Sequence, residues 1–304
     1  MSIQADPAEA PTPNLPAWTG VRGLVVLLAI AVASVFGFAP TSPRPAAVPA
    51  AGFSSARALS HIAEVANAPR PVGSVEHAQA REYLLNRLDS WGWKTEVQRA
   101  VGTTDVGVGT QPVAAVANVI AKLPGTSPTG TVLLAAHYDT VAGAPGAGDD
   151  GIGVGTLLET ARAVSTDDGG PDEAPRNDVM LLFSDAEEPG LLGAEAFVRE
   201  RAAALGTTVV LNHEARGTRG APTTFRTTSP NGTLLGVLSV APGASAESAA
   251  EAVFAALPNN SDFAHFSAAG MHGYDTAITA GGAFYHSPLD DPERLSAASL
   301  QQMG

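Results

Sequence analysis

Five short segments of the chain concentrate side chains able to hold divalent cations: Ala136-His137-Tyr138-Asp139-Thr140, Gly148-Asp149-Asp150-Gly151, Asp185-Ala186-Glu187-Glu188-Pro189-Gly190, Asn212-His213-Glu214-Ala215-Arg216-Gly217 and Tyr285-His286-Ser287-Pro288. Each lies where an apolar, strand-like run ends or a Gly-rich turn begins, the place where an α/β sheet presents its ligand-binding groups. Imidazoles and carboxylates gathered in this way suit two cations held side by side and metal-assisted hydrolysis. The chain has no cysteine, so any zinc here must take His and carboxylate ligands.

Each segment also has a plainer reading. His137 follows the apolar run 131–136, so its ring can enter the crevice above a sheet, with Asp139 accepting the other ring N–H and fixing the tautomer. A core histidine beside an unrelated aspartate is the alternative. Asp149 stands in a Gly-rich turn, and its two oxygens can bridge cations about 3.5–4 Å apart. An aspartate there also serves as a helix N-cap, a role that Asp150 can fill and so leave Asp149 free. Glu187 and Glu188 follow the run 179–183; adjacent carboxylates repel, and one ligating while the other takes a proton from water would account for both. An exposed acidic pair leading into a helix, favoured by its dipole, is the alternative. Asn212-His213-Glu214 ends the run 209–211 and offers two possible ligands. His61 and His77 read as ordinary surface residues, while His265 and His272 fall in a Gly-rich late segment near the site without a ligand role.

The elements that must position these groups follow from periodicity. Leu59, Ile62, Ala63 and Ala66 share a helical face over 56–66, and Ser74 opens a second helix over 75–91 that Gly92 stops. Residues 94–101 and 113–123 read as an antiparallel strand pair, and 131–136 as a buried central strand. Helices are expected over 151–164, 191–204 and 246–257, and strands over 178–183, 207–211 and 275–279. This alternation predicts an α/β fold: a three-layer α/β/α sandwich around a mixed, mostly parallel sheet, preceded by one N-terminal hydrophobic helix. Residues 166–177 read as an acidic surface loop. Loops 221–232 and 241–248 are expected to shape a substrate pocket, with a preference that composition does not encode.

Composition narrows the partners. A formal net charge of -13 over 304 residues leaves no basic stripe for phosphates, which excludes nucleic acid. Residues 1–17 are Pro/Ala-rich and read as disordered. Residues 18–39 are almost wholly apolar and read as a transmembrane signal-anchor, with Trp18 at the headgroups and Arg22 on the cytoplasmic side. A cleaved signal peptide is the alternative, giving a secreted protein; either way the remainder is extracytoplasmic. Residues 40–52 form a Pro-containing stiff linker, and 53–304 the globular domain.

Together with Arg70-Pro71-Val72-Gly73-Ser74, the five segments resemble the co-catalytic zinc aminopeptidases of clan MH, a family that includes secreted bacterial aminopeptidases, the endoplasmic-reticulum metallopeptidase and the vacuolar membrane protease. The Arg70–Ser74 stretch is typical of the membrane-anchored branch, and the resemblance runs from about Ile62 to Leu300. It implies two Zn²⁺ per chain and removal of N-terminal residues from peptides by water activated between them. The first zinc would take His137, Asp149 and Glu214, with His213 as a substitute for Glu214; the second would take Asp149, Glu188 and His286. Glu187 would be the general base, Tyr285 the oxyanion donor and Asp139 the carboxylate behind His137. Only twelve residues separate His137 from Asp149, unlike the neighbouring carboxypeptidases and deacylases, where an insertion-bearing stretch stands between them. The family's domain closes with a further helix, which is expected to be missing here because residues 296–303 make about two turns. The competing expectations are a zinc carboxypeptidase or amidohydrolase, single-zinc glutaminyl cyclisation, and a non-catalytic binding ectodomain on the same scaffold.

Overall fold

The computed structural model describes residues 17–37, 41–104, 111–165, 174–256 and 260–304. The expected disordered stretch before Ala17, and residues 166–173 of the expected acidic loop, lie outside the described residues. The chain divides into two compact units, Met1–Ala39 and Pro40–Gly304.

The first unit contains helix α1, Ala17–Gly37, which exposes Val21, Leu24, Val25 and Leu28 among other apolar side chains. Among the described residues no helix is long and apolar enough to cross a membrane, so the spanning anchor expected over 18–39 is not found there.

The second unit is built on a seven-stranded sheet in the order β1-β2-β4-β3-β5-β7-β6. The strands are β1 Lys94–Thr103, β2 Val113–Leu123, β3 Thr131–His137, β4 Asp178–Ser184, β5 Thr208–Ala215, β6 Thr223–Thr227 and β7 His272–Ile278. The inner strands β4, β3, β5 and β7 run parallel, while β1 with β2, β2 with β4, and β6 with β7 pair antiparallel. Helices α2 Ser55–Val65, α3 Val75–Ser90, α4 Gly151–Val164, α5 Leu192–Leu205, α6 Gly232–Leu238, α7 Ser248–Ala255, α8 Phe263–Ala268 and α9 Ala297–Met303 complete it.

The sandwich follows from strands that are apolar on both faces. Leu134 and Ala136 of β3, with Leu181 and Phe183 of β4, pack under α3 and α4. Their neighbours Leu133, Ala135, Met180 and Leu182 face the other way, against Phe197 of α5 and Phe263 and Phe266 of α8. A strand of period two can fill both layers only if every position is apolar. Ser54 and Ser74 cap α2 and α3, accepting hydrogen bonds from the backbone N–H groups of Arg57 and His77.

Three differences from the sequence expectation bear on the site. Strand β5 continues past Leu211 to Ala215, so His213 and Glu214 lie inside the strand rather than after it. Strand β6 and helices α6 and α8 are unexpected, being only 5, 7 and 6 residues long. The expected linker is tied down: the Arg44 N–H donates to Gln301 Oε1 of α9 at 3.0 Å and the Ser54 hydroxyl donates to Pro45 O at 3.0 Å.

Candidate metal centre

The end of β3 carries His137, 1% exposed, with Nε2 3.2 Å from Asp149 Oδ1 and Nδ1 3.5 Å from Asp139 Oδ1. Asp139 does more than back the imidazole. Its Oδ1 accepts the Glu187 N–H at 3.0 Å and its Oδ2 the Glu188 N–H at 3.3 Å. One buried carboxylate therefore lies behind the histidine and fixes the turn that carries the glutamate pair.

Asp149 sits on a turn that leaves little room. A Cβ on Gly148 would lie 2.7 Å from Asp290 Oδ1 and 3.0 Å from Gly217 O, so this position admits glycine alone. Asp290 accepts the Gly148 and Asp149 N–H groups at 2.7 and 3.0 Å, and Asp150 caps α4 by accepting the Gly153 N–H at 3.0 Å. The Asp149–Asp150 peptide is cis. Held in this way, the Asp149 carboxylate points two ways: Oδ1 toward His137 and Oδ2 toward His286 Nε2 at 3.1 Å. His286 Nε2 is also 3.1 Å from Glu188 Oε2. Side-chain exposure differs sharply, 1% for His137 and 35% for His286.

Two groups of ligand-bearing side chains result, His137 with Asp149 and Glu214, and Asp149 with Glu188 and His286; within each, the ligand atoms lie within 4.8 Å of one another. They share Asp149. Glu187 Oε2 is 4.0 Å from His137 Nε2. The Tyr285 ring stacks on His286 at 3.7 Å between centroids, with the Arg216 guanidinium 4.9 Å above it. Glu214 reaches the site from β5, its Oε1 accepting from Asn212 Nδ2 at 3.3 Å. His213, as the next residue along the strand, faces the opposite side of the sheet and joins neither group. It lines a separate cavity of about 650 Å³ with Leu211 and Tyr274, and burial lowers its pKa to about 4. The alternative in which His213 replaces Glu214 has no support from this placement.

The electrostatics suit bound cations. Burial raises the pKa of Glu214, Glu187 and Glu188, and neighbouring carboxylates add to each effect. Burial also acts to raise Asp149, but hydrogen bonds from His137 and His286 outweigh it and bring it down. Burial opposes protonation of His137, yet Glu187, Asp139 and Asp149 hold its pKa well above the ordinary value. The fully buried Arg70 does not neutralise these acids by contact: its Nε and guanidinium donate to the Tyr138, Pro145 and Gly146 carbonyls. The centre is thus two imidazoles among crowded carboxylates with no thiolate, a donor set that fits divalent zinc and also accepts Mn²⁺ or Co²⁺.

A cavity of about 390 Å³ opens from the centre, with Asp149, Glu187, Glu214 and Tyr285 at one end and Phe225, Val253 and Phe254 along its apolar wall. Thr223 and Phe225 of β6, and Glu247, fall within the two stretches expected to shape it, and Ala249, Ala250, Val253 and Phe254 come from α7.

Several supporting residues escape a reading by residue type. Asp290 follows the His286 segment as an undistinguished acid, and only its place under Gly148 reveals its use. His77, expected at the surface, is 3% exposed, lies 2.8 Å from Asp185 Oδ1, and stacks on Tyr138 at 4.6 Å. His61 is likewise buried, at 8% exposure, with Nδ1 2.7 Å from the Tyr83 hydroxyl. Ala58 and Val65, at helical spacing from His61, were a local signal for that residue alone; His77 has only Ala80. His265 and His272 join neither group.

Comparison with known proteins agrees with this geometry. Residues 118–304 match peptidase family M28. The chain is similar to the vacuolar membrane protease of Coprinopsis cinerea, 32% identical over 226 residues that cover 69% of this chain and 22% of that protein. It is also similar to endoplasmic reticulum metallopeptidase 1 of Homo sapiens, 30% identical over 263 residues that cover 81% of this chain and 28% of that protein. The chain thus spans about a quarter of the length of these curated relatives. Among solved structures it superposes on a Zn-dependent exopeptidase from Parabacteroides distasonis with TM-score 0.63, 21% identity and coverage of 84% and 96% of the two chains. A glutaminyl cyclase from Porphyromonas gingivalis gives 0.62, 23%, and 82% and 94%. At such identities the structural likeness bears on the fold, which it shares. The family match runs from within β2 through α9 and contains every residue of both ligand groups, and it makes the chain a member of peptidase family M28.

Proposed function

We propose that the protein is an aminopeptidase that hydrolyses N-terminal residues from peptides with two zinc ions, one held by His137, Asp149 and Glu214 and the other by Asp149, Glu188 and His286. The observation that carries this reading is the Asp149 carboxylate, whose two oxygens face different imidazoles at 3.2 and 3.1 Å. When bound, such ions supply Lewis acidity toward water and the scissile carbonyl.

The side chains of this protein divide the remaining work. Glu187, raised by burial and adjacent to His137, takes the proton of the attacking water and hands it to the leaving amine. Burial, then Asp149 and Glu188, push the Tyr285 phenol upward, so its hydroxyl stays protonated and donates to the developing oxyanion. Asp139 orients His137 and, through two backbone N–H groups, fixes Glu187 and Glu188. The apolar cavity beside them receives the side chain of the residue to be removed.

Hydrolysis of free and N-terminally blocked peptides by the zinc-loaded protein tests this. An aminopeptidase requires the free amine, and equal turnover of both rejects it in favour of a carboxypeptidase or amidohydrolase. Cyclisation of N-terminal glutamine with one zinc per chain would support instead the chemistry named for the Porphyromonas gingivalis structure. A chain that takes up no zinc would be a binding domain. Attachment to a membrane through α1, with the second unit extracytoplasmic, belongs to the same proposal; full recovery of the chain in a detergent-free soluble fraction rejects it.

A further inference from the structure

We propose that Arg226, which lies beside the apolar cavity, is a positioning residue for Glu214, acting through Asp275 and Asn212. This inference rests on the two-ion reading above. The β6–β7 register shifts between Thr224 and Arg226, which sets Arg226 opposite Asp275, while Asp275 pairs with Asn212 across β5. Without that shift the alternation of β6 would set Arg226 opposite Tyr274; bulges re-aim side chains in this way. The result is a row of polar side chains across three strands.

The row is closed by hydrogen bonds. Arg226 donates from Nε and a terminal nitrogen to Asp275 Oδ2 at 3.1 and 2.7 Å. Asp275, wholly buried, uses its other oxygen to accept from Asn212 Nδ2 at 2.9 Å. That same amide nitrogen donates to Glu214 Oε1 at 3.3 Å. With both amide hydrogens committed, Asn212 cannot turn its carbonyl toward Glu214, where it would repel the carboxylate. Removing Arg226 leaves Asp275 as a buried carboxylate without its cation, and the pull on Asn212 changes first.

Arg226 also reaches the cavity wall. It donates to Ser261 Oγ at 2.8 Å and Asn260 Oδ1 at 2.9 Å, both lining the cavity, and its guanidinium lies 5.0 Å from the Phe254 ring and 5.1 Å from that of Phe263. One cation therefore orders the wall that receives the substrate and, at the far end of the row, one ligand group.

Zinc titration of the full chain against a chromophoric chelator tests this, with activity not involved in the readout. Outer-shell partners of ligands typically contribute about 10–100-fold to metal affinity. Arg226→Met is expected to weaken one of the two zinc equivalents by about that factor and leave the other unchanged, with Arg226→Lys recovering part of the loss. Asn212→Leu should give the same selective loss, and the double variant should be no weaker than either single one. Wild-type affinity for both equivalents in Arg226→Met overturns the proposal. So do equal weakening of both equivalents, which signals general loosening, and multiplicative losses in the double variant, which signal independent effects. Wild-type protein that binds no zinc sinks the two-ion reading itself, and this proposal with it.

Discussion

The two sides of the crevice are built by different means. On the β3–β4 side, His137, Asp139, Glu187 and Glu188 stand at the ends of buried parallel strands, and backbone N–H groups pin the acids that orient them. On the β6–α7 side, Phe225, Val253 and Phe254 come from elements of 5 and 8 residues, and α7 buries none of its side chains. The first side is over-determined, so its geometry survives changes elsewhere. The second has few buried contacts, the condition under which local segments open and adapt at low cost. Under the proposed function, this places the reacting groups on the rigid side and recognition on the adaptable one, so that the pocket can vary while the reacting groups stay fixed.

Substitutions can break or sharpen this contrast. Asp149→Asn should have the largest effect, since both ligand groups use it: zinc uptake measured by mass spectrometry should fall for both equivalents and activity should vanish. Retention of two zincs would show that the rigid side does not depend on its shared carboxylate. Glu187→Gln should lower kcat by about 10²–10⁴-fold with both zincs still bound. Near-native turnover in that variant would remove Glu187 from the proton transfer.

Phe254→Ala, on the adaptable side, should lower kcat/KM about tenfold for peptides with a large apolar N-terminal residue and much less for N-terminal alanine. A uniform loss across substrates would mean that the two sides do not act separately. The smallest effect concerns the scaffold behind the rigid side. Burial, then Arg87, push His61 down to about 4 from 6.5, so the folded chain keeps it neutral while the unfolded chain protonates. Its contribution is complete above pH 6.5 and is lost progressively as pH falls from 6.5 toward 4. Urea midpoints across that window should decline less steeply for His61→Leu than for wild type, and an identical slope would reject the assignment.

The same contrast explains what the amino-acid sequence disclosed. Strands β3 and β4 were legible because an unbroken apolar run, 132–136 in one and 179–183 in the other, leads directly into a polar segment. The glutamate pair, Asp149 and His286 were legible as types at strand ends and turns, and the family resemblance added their roles. The choice of Glu214 over His213 rested on the resemblance alone, because residue type leaves both open; a strand reaching Ala215 puts the two on opposite faces. Strand β6 and helix α8 are too short for periodicity to register, so 221–232 was expected as a pocket-shaping loop and not as a strand. Arg70, His77 and Arg226 find partners 68, 108 and 49 residues away, and nothing local marks those partners.

One asymmetry of the centre reaches beyond the reaction. His137 is sealed inside the protein while His286, with a third of its side chain in solvent, stands at the doorway. The inner position is suited to storage and the outer one to exchange with the surroundings. On the proposed two-ion reading, mild chelation should therefore drain the ion beside His286 first and leave a half-loaded, refillable protein.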